Sequence, residues 1–210
     1  MYTLLEIENN YKKYIHFNHD RSIPLGDTMR AIKLPYTIDP ARVLRTVNQY
    51  LDTSTWYKKY KITGYTGVSL IGSDPQNVYA DEGAPFSLYD KNNRVIQKIE
   101  FPHKIHKSPL FEALSFVWSS FPEYQFHNPR LLKLEPGSIV PQHTDGESIL
   151  NYHLVLSTND LCGVSVEGDF FHFDADSHIY VVNASKDHFV YNLGLTDRVH
   201  LVFNLCLNPD

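Results

Sequence analysis

The two halves of the chain follow different rhythms. From Pro129 onward, apolar and polar positions exchange with a period of two over short runs separated by turn residues. This predicts strands at 131–135, 151–157, 163–166, 170–173, 179–183, 188–192 and 199–207. Glu167-Gly168-Asp169 reads as a tight hairpin, with further reversals from Asp174 to Ser177 and from Gly194 to Asp197. Earlier, the period lengthens. Asp39 is a good N-cap and Pro40 suits the first helical position, and Val43, Leu44, Val47, Tyr50 and Leu51 then fall on one stripe, which predicts a helix over 40–51 packed on the outside of a sheet. Ser108 and Pro109 open a second helix, whose stripe is Leu110, Phe111, Leu114, Val117, Trp118 and Phe121 and which Pro122 stops.

Between and before these elements the pattern is weaker. Residues 32–35 form a short edge strand that Pro35 ends. The stretch 61–107 is punctuated by Gly64, Gly67, Gly72, Asp74-Pro75 and Gly83-Ala84-Pro85, with short strands at 67–70 and 95–99. It reads equally as a cover over a substrate opening and as a plain surface excursion. Seven or eight short strands preceded by two amphipathic helices indicate a mainly β fold, a double-sheet jelly roll buttressed by helices. Without repeats, low-complexity segments or a shift in composition, one domain is expected over 1–210, with helices and covering strands in 1–128 and the jelly-roll core in 129–210.

Composition narrows the function classes. Of 210 residues, 42 % are apolar and 20 % charged, and 14 Tyr and 12 Phe lean towards sheet. A formal charge of -5 gives no basic field for a phosphate backbone, so no nucleic-acid partner is expected. No apolar run approaches spanning length, and the acids in Met1-Tyr-Thr-Leu-Leu-Glu-Ile-Glu are unlike a secretory signal, so a cytoplasmic protein without a membrane partner is expected. Cys162 and Cys206 read as buried free thiols.

The candidate chemistry starts at His143-Thr144-Asp145. Residues i and i+2 of a strand point to the same side, so His143 and Asp145 can present an imidazole and a carboxylate to one point. His188, between two apolar runs further on, can supply a third ligand from a returning strand. Two His and one carboxylate suit non-haem Fe(II) and leave positions open for chemistry. In Asp197-Arg-Val-His-Leu-Val-Phe203, alternation puts Arg198 and His200 on one face and Val199, Leu201 and Phe203 on the other. An inward guanidinium needs a carboxylate, and a diffusible dicarboxylate would serve. Each residue also has a plain structural reading, since a chain with eleven His holds HxD pairs by chance; the conjunction in one strand-rich half carries the functional one.

Pro136-Gly137, then His143-Thr144-Asp145, a distal His188 and Arg198 ten positions beyond it resemble the aspartyl/asparaginyl β-hydroxylase-like branch of the Fe(II)/2-oxoglutarate-dependent dioxygenases, over roughly residues 130 to 207. The resemblance implies a double-stranded β-helix (jelly-roll, cupin-like) barrel. It implies Fe(II) held by His143, Asp145 and His188, 2-oxoglutarate gripped at its far carboxylate by Arg198, and O2 as the oxidant. His153 corresponds to a family histidine that contacts a cosubstrate carboxylate, and its alternation with Tyr152, Leu154 and Leu156 turns it inward. Family members often carry Arg two residues earlier, where this chain has Asn151. Asn183 and His200 are candidates either for the pocket lining or for structural hydrogen bonds.

The implied activity couples oxidative decarboxylation of 2-oxoglutarate to C–H hydroxylation of an amino acid, an amino-acid-derived molecule or a peptidyl side chain. Asp145 fills the ligand position that halogenases leave to halide, which favours hydroxylation. The alternatives are a non-catalytic jelly-roll binding module and a cupin-type metalloenzyme without 2-oxoglutarate.

Overall fold

The computed structural model describes residues 30–51, 57–58, 64–72, 88–89, 95–97, 106–122, 124–145 and 150–207. The expectations for Asp74-Pro75, Gly83 to Pro85, His16, His19 and His103 lie outside these residues, as do the side chains of His127 and Cys206. Helix α1 (Pro40–Tyr50) forms where its cap and stripe predict, with the Asp39 carboxylate accepting from the Ala41 N–H at 2.9 Å. Val43 and Val47 are buried, but Tyr50 is 46 % exposed. Leu51, extended and already outside the helix, enters the core in its place.

The second helix is two. Helix α2 (Pro109–Ala113) and helix α3 (Ser115–Trp118) are separated by Leu114, at φ -88° and ψ 16°. The Trp118 indole N–H donates to the Phe111 carbonyl at 2.7 Å, and the kinked path lets Leu110, Phe111, Leu114, Val117 and Phe121 all reach one core.

Seven strands make the larger sheet, ordered β1 (Ala31–Thr37), β13 (His178–Asn183), β10 (Leu150–Ser157), β15 (Arg198–Leu207), β8 (Tyr124–Leu134), β3 (Tyr65–Ser69) and β2 (Tyr57–Lys58). Four make the smaller one: β12 (Asp169–Phe171), β11 (Cys162–Val166), β14 (His188–Asn192) and β9 (Ser138–His143). All pairings are antiparallel. Two short ribbons, β4 (Ile71–Gly72) with β7 (His106–Lys107) and β5 (Leu88–Tyr89) with β6 (Val95–Gln97), complete the described elements. The fold is thus a double-sheet jelly roll of the expected kind, with no closed barrel among the described residues.

Two expectations change in detail. Pro35 does not end β1; at a sheet edge its missing N–H is tolerated, and the ladder shifts between Lys33 and Thr37. Part of the irregular stretch is also core, since β3 pairs with β8 along its whole length and is buried throughout.

The two faces of the larger sheet have different tasks. Tyr152, Leu154, Leu156, Leu201, Phe203 and Leu205 point outward and pack with α1, α2 and α3 in the main apolar cluster, where each buried side chain contributes about 1.5–3 kcal/mol. Between the sheets lie two smaller clusters, one around Val155, Val164, Phe173 and Tyr180 and the other around Leu132, Leu134, Val140 and Val202. Buried polar side chains occupy the same inner faces: Asn151, His153, His188, Arg198 and His200. Among the described residues, no helix is long and apolar enough to cross a membrane.

Candidate active site

Strand β9 starts from a turn that its sequence dictates. Pro136-Gly137 closes a turn in which the Ser138 N–H donates to the Glu135 carbonyl at 3.2 Å and Gly137 takes φ +73°, which a side chain would resist. Along β9 the pairing with β14 matches Ile139 to Tyr191 and Val140 to Val190, then shifts so that His143 lies opposite His188. Three residues of β9 span two of β14 there, so a bulge turns His143 to the same side as Val140. The two imidazole rings stand 4.3 Å apart.

Asp145 follows the strand end and is tied back by its N–H, which donates to the Ala184 carbonyl at 2.9 Å. The ligand atoms of His143, Asp145 and His188 all lie within 4.8 Å of one another, bringing the three expected residues together. His143 Nδ1 faces the Pro141 carbonyl at 2.7 Å and His188 Nδ1 the Lys186 carbonyl at 2.9 Å. Those bonds hold a proton on each Nδ1 and turn each Nε2 inward, and the proton that His143 Nε2 shares with Asp145 would give way to a bound cation. One Asp145 oxygen accepts from the Asn151 amide at 2.6 Å, while the other faces His143 Nε2 at 3.4 Å. Burial pushes the Asp145 carboxyl up, but the His143 hydrogen bond, the charges of Arg130 and His188 and the Asn151 amide together hold it well below the usual range. The carboxylate raises His143, whereas burial lowers His188. A carboxylate and two imidazoles with inward Nε2 atoms fit a divalent first-row metal.

Three residues that the sequence pattern alone leaves open or omits stand around the triad. Asn151 has its amide N–H on Asp145, and its carbonyl accepts from the Asn204 amide at 3.0 Å. Asn204 also donates to the Leu150 carbonyl at 2.7 Å, so Asp145 is steered through two asparagines. Arg130, on the inner face of β8 opposite Val202, projects its charge onto Asp145 and His153. The Asn183 carboxamide oxygen accepts from the Ser185 N–H at 3.2 Å and from the Ser185 hydroxyl.

Arg198, on the inner face of β15, is 4 % exposed. Burial pushes its guanidinium down to about 10, and among the described residues it forms no ion pair with a carboxylate. His200 lines a narrow cleft with Arg198, Thr158, Cys162, Gly163 and Phe173, and its buried Nε2 has no hydrogen-bond partner among the described residues. His153 Nδ1 meets His200 Nδ1 at 3.3 Å, so one of the two carries the proton and the other accepts it. Burial, followed by the charge of Arg198, lowers both imidazoles well below their ordinary value and keeps them neutral. Of the remaining histidines, His172 and His178 lie beside Asp174 and Asp176, away from the triad.

The model of the family described as Aspartyl/Asparaginyl beta-hydroxylase matches residues 87–207, more than half of the sequence and the whole of this cavity. The chain belongs to that family. Its fold is also that of the Fe(II)/2-oxoglutarate oxygenases. An oxidoreductase of the 2OG-Fe(II) oxygenase family from Burkholderia pseudomallei superposes with a TM-score of 0.52 at 12 % identity, covering 92 % of this chain and 88 % of that one. HygX from Streptomyces hygroscopicus, solved with nickel and 2-oxoglutarate bound, gives 0.52 at 12 % identity over 85 % of this chain and 83 % of its own. At such identity the likeness is one of fold. No curated protein matches the sequence. Family and fold together identify the protein as a 2-oxoglutarate-dependent dioxygenase.

Proposed function

We propose that this β-hydroxylase family member is a single-domain hydroxylase in which His143, Asp145 and His188 hold Fe(II), Arg198 binds the far carboxylate of 2-oxoglutarate, and the prime substrate is a free amino acid or a small amino-acid-derived molecule. The carrying observation is the pairing of two features between the sheets: a convergent His, Asp and His set, and a buried guanidinium that has no carboxylate partner among the described residues. Removing a cation from water without a partner is costly, and a dicarboxylate that docks with its other end at the metal resolves that cost. Bound iron supplies the oxidising chemistry that couples decarboxylation of 2-oxoglutarate to hydroxylation of a C–H bond.

The chain's own residues do the rest. The Pro141 and Lys186 carbonyls fix both imidazoles with Nε2 turned inward, and Asn151 orients Asp145. His153 and His200 line the path between the triad and Arg198 as neutral polar groups. They supply hydrogen bonds to the cosubstrate without adding charge. Beside the triad, an open depression of about 820 Å³ lined by Arg30, Gln142, Thr144, Glu167, Lys186 and Asp187 leaves room for such a substrate. That HygX was solved with nickel and 2-oxoglutarate bound supports the same cosubstrate here.

Anaerobic addition of Fe(II) and 2-oxoglutarate tests the proposal. A weak visible charge-transfer band should develop in the wild type and be absent in His143→Ala. A wild-type protein without the band would remove the iron and cosubstrate assignment.

A further inference from the structure

Arg198 is the first residue of β15, and the turn that delivers it crosses from the smaller sheet to the larger one. Apolar packing does not hold that turn, since Leu193 is 57 % and Leu195 94 % exposed. Ladder pairing helps on one flank only: Arg198 lies opposite Leu134 of β8, whereas β10 joins from Val199 onward. A guanidinium fork is selective only if its backbone is fixed, so the turn needs another anchor.

A single carboxamide supplies it. Asn192, the last residue of β14, is fully buried, and its side chain uses both donors and its acceptor. The amide donates to the Thr196 carbonyl at 2.8 Å and to the Leu134 carbonyl at 2.8 Å. The oxygen accepts from the Gly194 N–H, the Cys162 thiol and the Asn159 amide, each at 3.1 Å. These partners surround Arg198. Gly194 and Thr196 belong to the turn before it, Leu134 is its cross-strand neighbour, and Cys162 lines the same cleft. Asn159 braces the turn from the other side, donating to the Thr196 carbonyl at 3.1 Å and accepting from the Leu161 N–H at 3.0 Å. The fit is close enough that a Cβ built on Gly194 would lie 2.0 Å from the Asn159 carboxamide oxygen.

Resting on the assignment of Arg198 to the far carboxylate of 2-oxoglutarate, we propose that Asn192 is the positioning residue for Arg198. Its carboxamide, braced by Asn159, ties the turn, β8 and β11 together and so fixes where the guanidinium meets the cosubstrate. A neutral amide suits this place. An aspartate would leave two buried carbonyls without donors and bring an anion close to the cleft meant for the cosubstrate's own carboxylate. The effect is local to this end of the site, because four residues of β14 separate Asn192 from His188, about 13 Å at the usual rise. The bond from the Gly137 N–H to the Asn192 carbonyl, at 2.8 Å, anchors the start of β9 through the backbone and survives a change of side chain.

The test uses the full-length protein with Fe(II) under anaerobic conditions and follows the visible band during titration with two acids of equal chain length. These are 2-oxoglutarate and 2-oxopentanoate, which lacks the far carboxylate. The wild type should bind 2-oxoglutarate at least about tenfold more tightly, and Arg198→Gln should lose that preference. Asn192→Ala should lose it to within about threefold of Arg198→Gln, while affinities for 2-oxopentanoate and Co(II) stay within about twofold of wild type. Asn192→Asp, equal in shape but without the donors, should lose it too. Asn159→Ala removes the brace alone, should lose part of the preference, and serves as the readout if neither Asn192 variant folds.

Three results would overturn the proposal: an undiminished preference in Asn192→Ala, an equal weakening of both acids, or a fall in Co(II) affinity to match. The second and third would make Asn192 a general structural residue. If the Asn192 variants do not fold, an undiminished preference in Asn159→Ala has the same force. Failure of the underlying assignment is separate: the wild type would bind both acids alike, or Arg198→Gln would keep the preference, and the role of Asn192 would fall with it.

Discussion

Asn151 is committed at both ends of its carboxamide, donating to Asp145 and accepting from Asn204. Removing it leaves one carboxylate oxygen without a donor and lets Asp145 rotate. Asn151→Ala should therefore lower Co(II) affinity by about 10–100-fold, measured by calorimetric titration, with little change in melting temperature. Arg198 behaves in the opposite sense with respect to stability. Its buried charge burdens the ligand-free fold, so Arg198→Met should melt no lower than the wild type without ligand. The same variant should lose the rise in melting temperature that 2-oxoglutarate gives the wild type in the presence of Co(II). A variant that melts well below the wild type without ligand would mean that Arg198 has a structural partner.

At the scale of elements, the site depends on where β9 begins. Gly64 takes φ +74°, and a Cβ built there would lie 1.9 Å from Ser138 Oγ and 3.0 Å from Ser138 Cβ, at the first residue of β9. Its carbonyl also accepts from the Glu135 N–H at 2.8 Å. Gly64→Ala combines an unfavourable backbone with a clash and should cost of order 1–3 kcal/mol in a urea titration. The helix-side packing has its own test. Phe203 is fully buried, stacks on Tyr152 with centroids 5.8 Å apart and meets Trp118, Phe121 and Phe126. Phe203→Ala should destabilise by about 3–5 kcal/mol, the range for opening an aromatic cavity. The break at Leu114 belongs to this scale too: a continuous apolar stripe predicts one helix, yet the hydrogen bond from Trp118 to Phe111 and the reach of five side chains to one cluster favour two short ones.

For the molecule as a whole, β1 is stapled to the turn before β13 by Lys33 and Asp176. Burial raises the Asp176 carboxyl, but the Lys33 and His178 bonds outweigh it and hold it below the ordinary carboxylate value. A folded-state value below the unfolded one means that the stabilisation is complete above about pH 4 and is lost as pH falls through the folded value. Asp176→Asn should therefore be less stable than the wild type at pH 7 by up to about 1 kcal/mol, with the gap closing below pH 4 in acid-unfolding curves.

Much of this architecture was legible beforehand, because it rests on local chemistry. Asp39 and Pro40 start α1 for reasons contained in those two residues, and period-two alternation locates β10, β13, β14 and β15 with their faces. The HxD spacing and a distal His named the three side chains, His143, Asp145 and His188, whose ligand atoms converge. Spacing along a polymer, however, says nothing about which side of a strand is inside when both sides are buried. That is the situation of β8, where Leu131 joins the helix-side core and Leu132 the inter-sheet one, so alternation could not single out Arg130. Nor could it supply the bulge that aligns His143 with His188, or the meeting of Asn204 with Asn151 across strands 53 residues apart. Backbone periodicity, caps and turns act within a few residues and are written in order along the chain. Cross-strand register, the steering of Asp145 and the burial of Arg198 depend on which distant groups fill the same space, and only the packed sheets decide that.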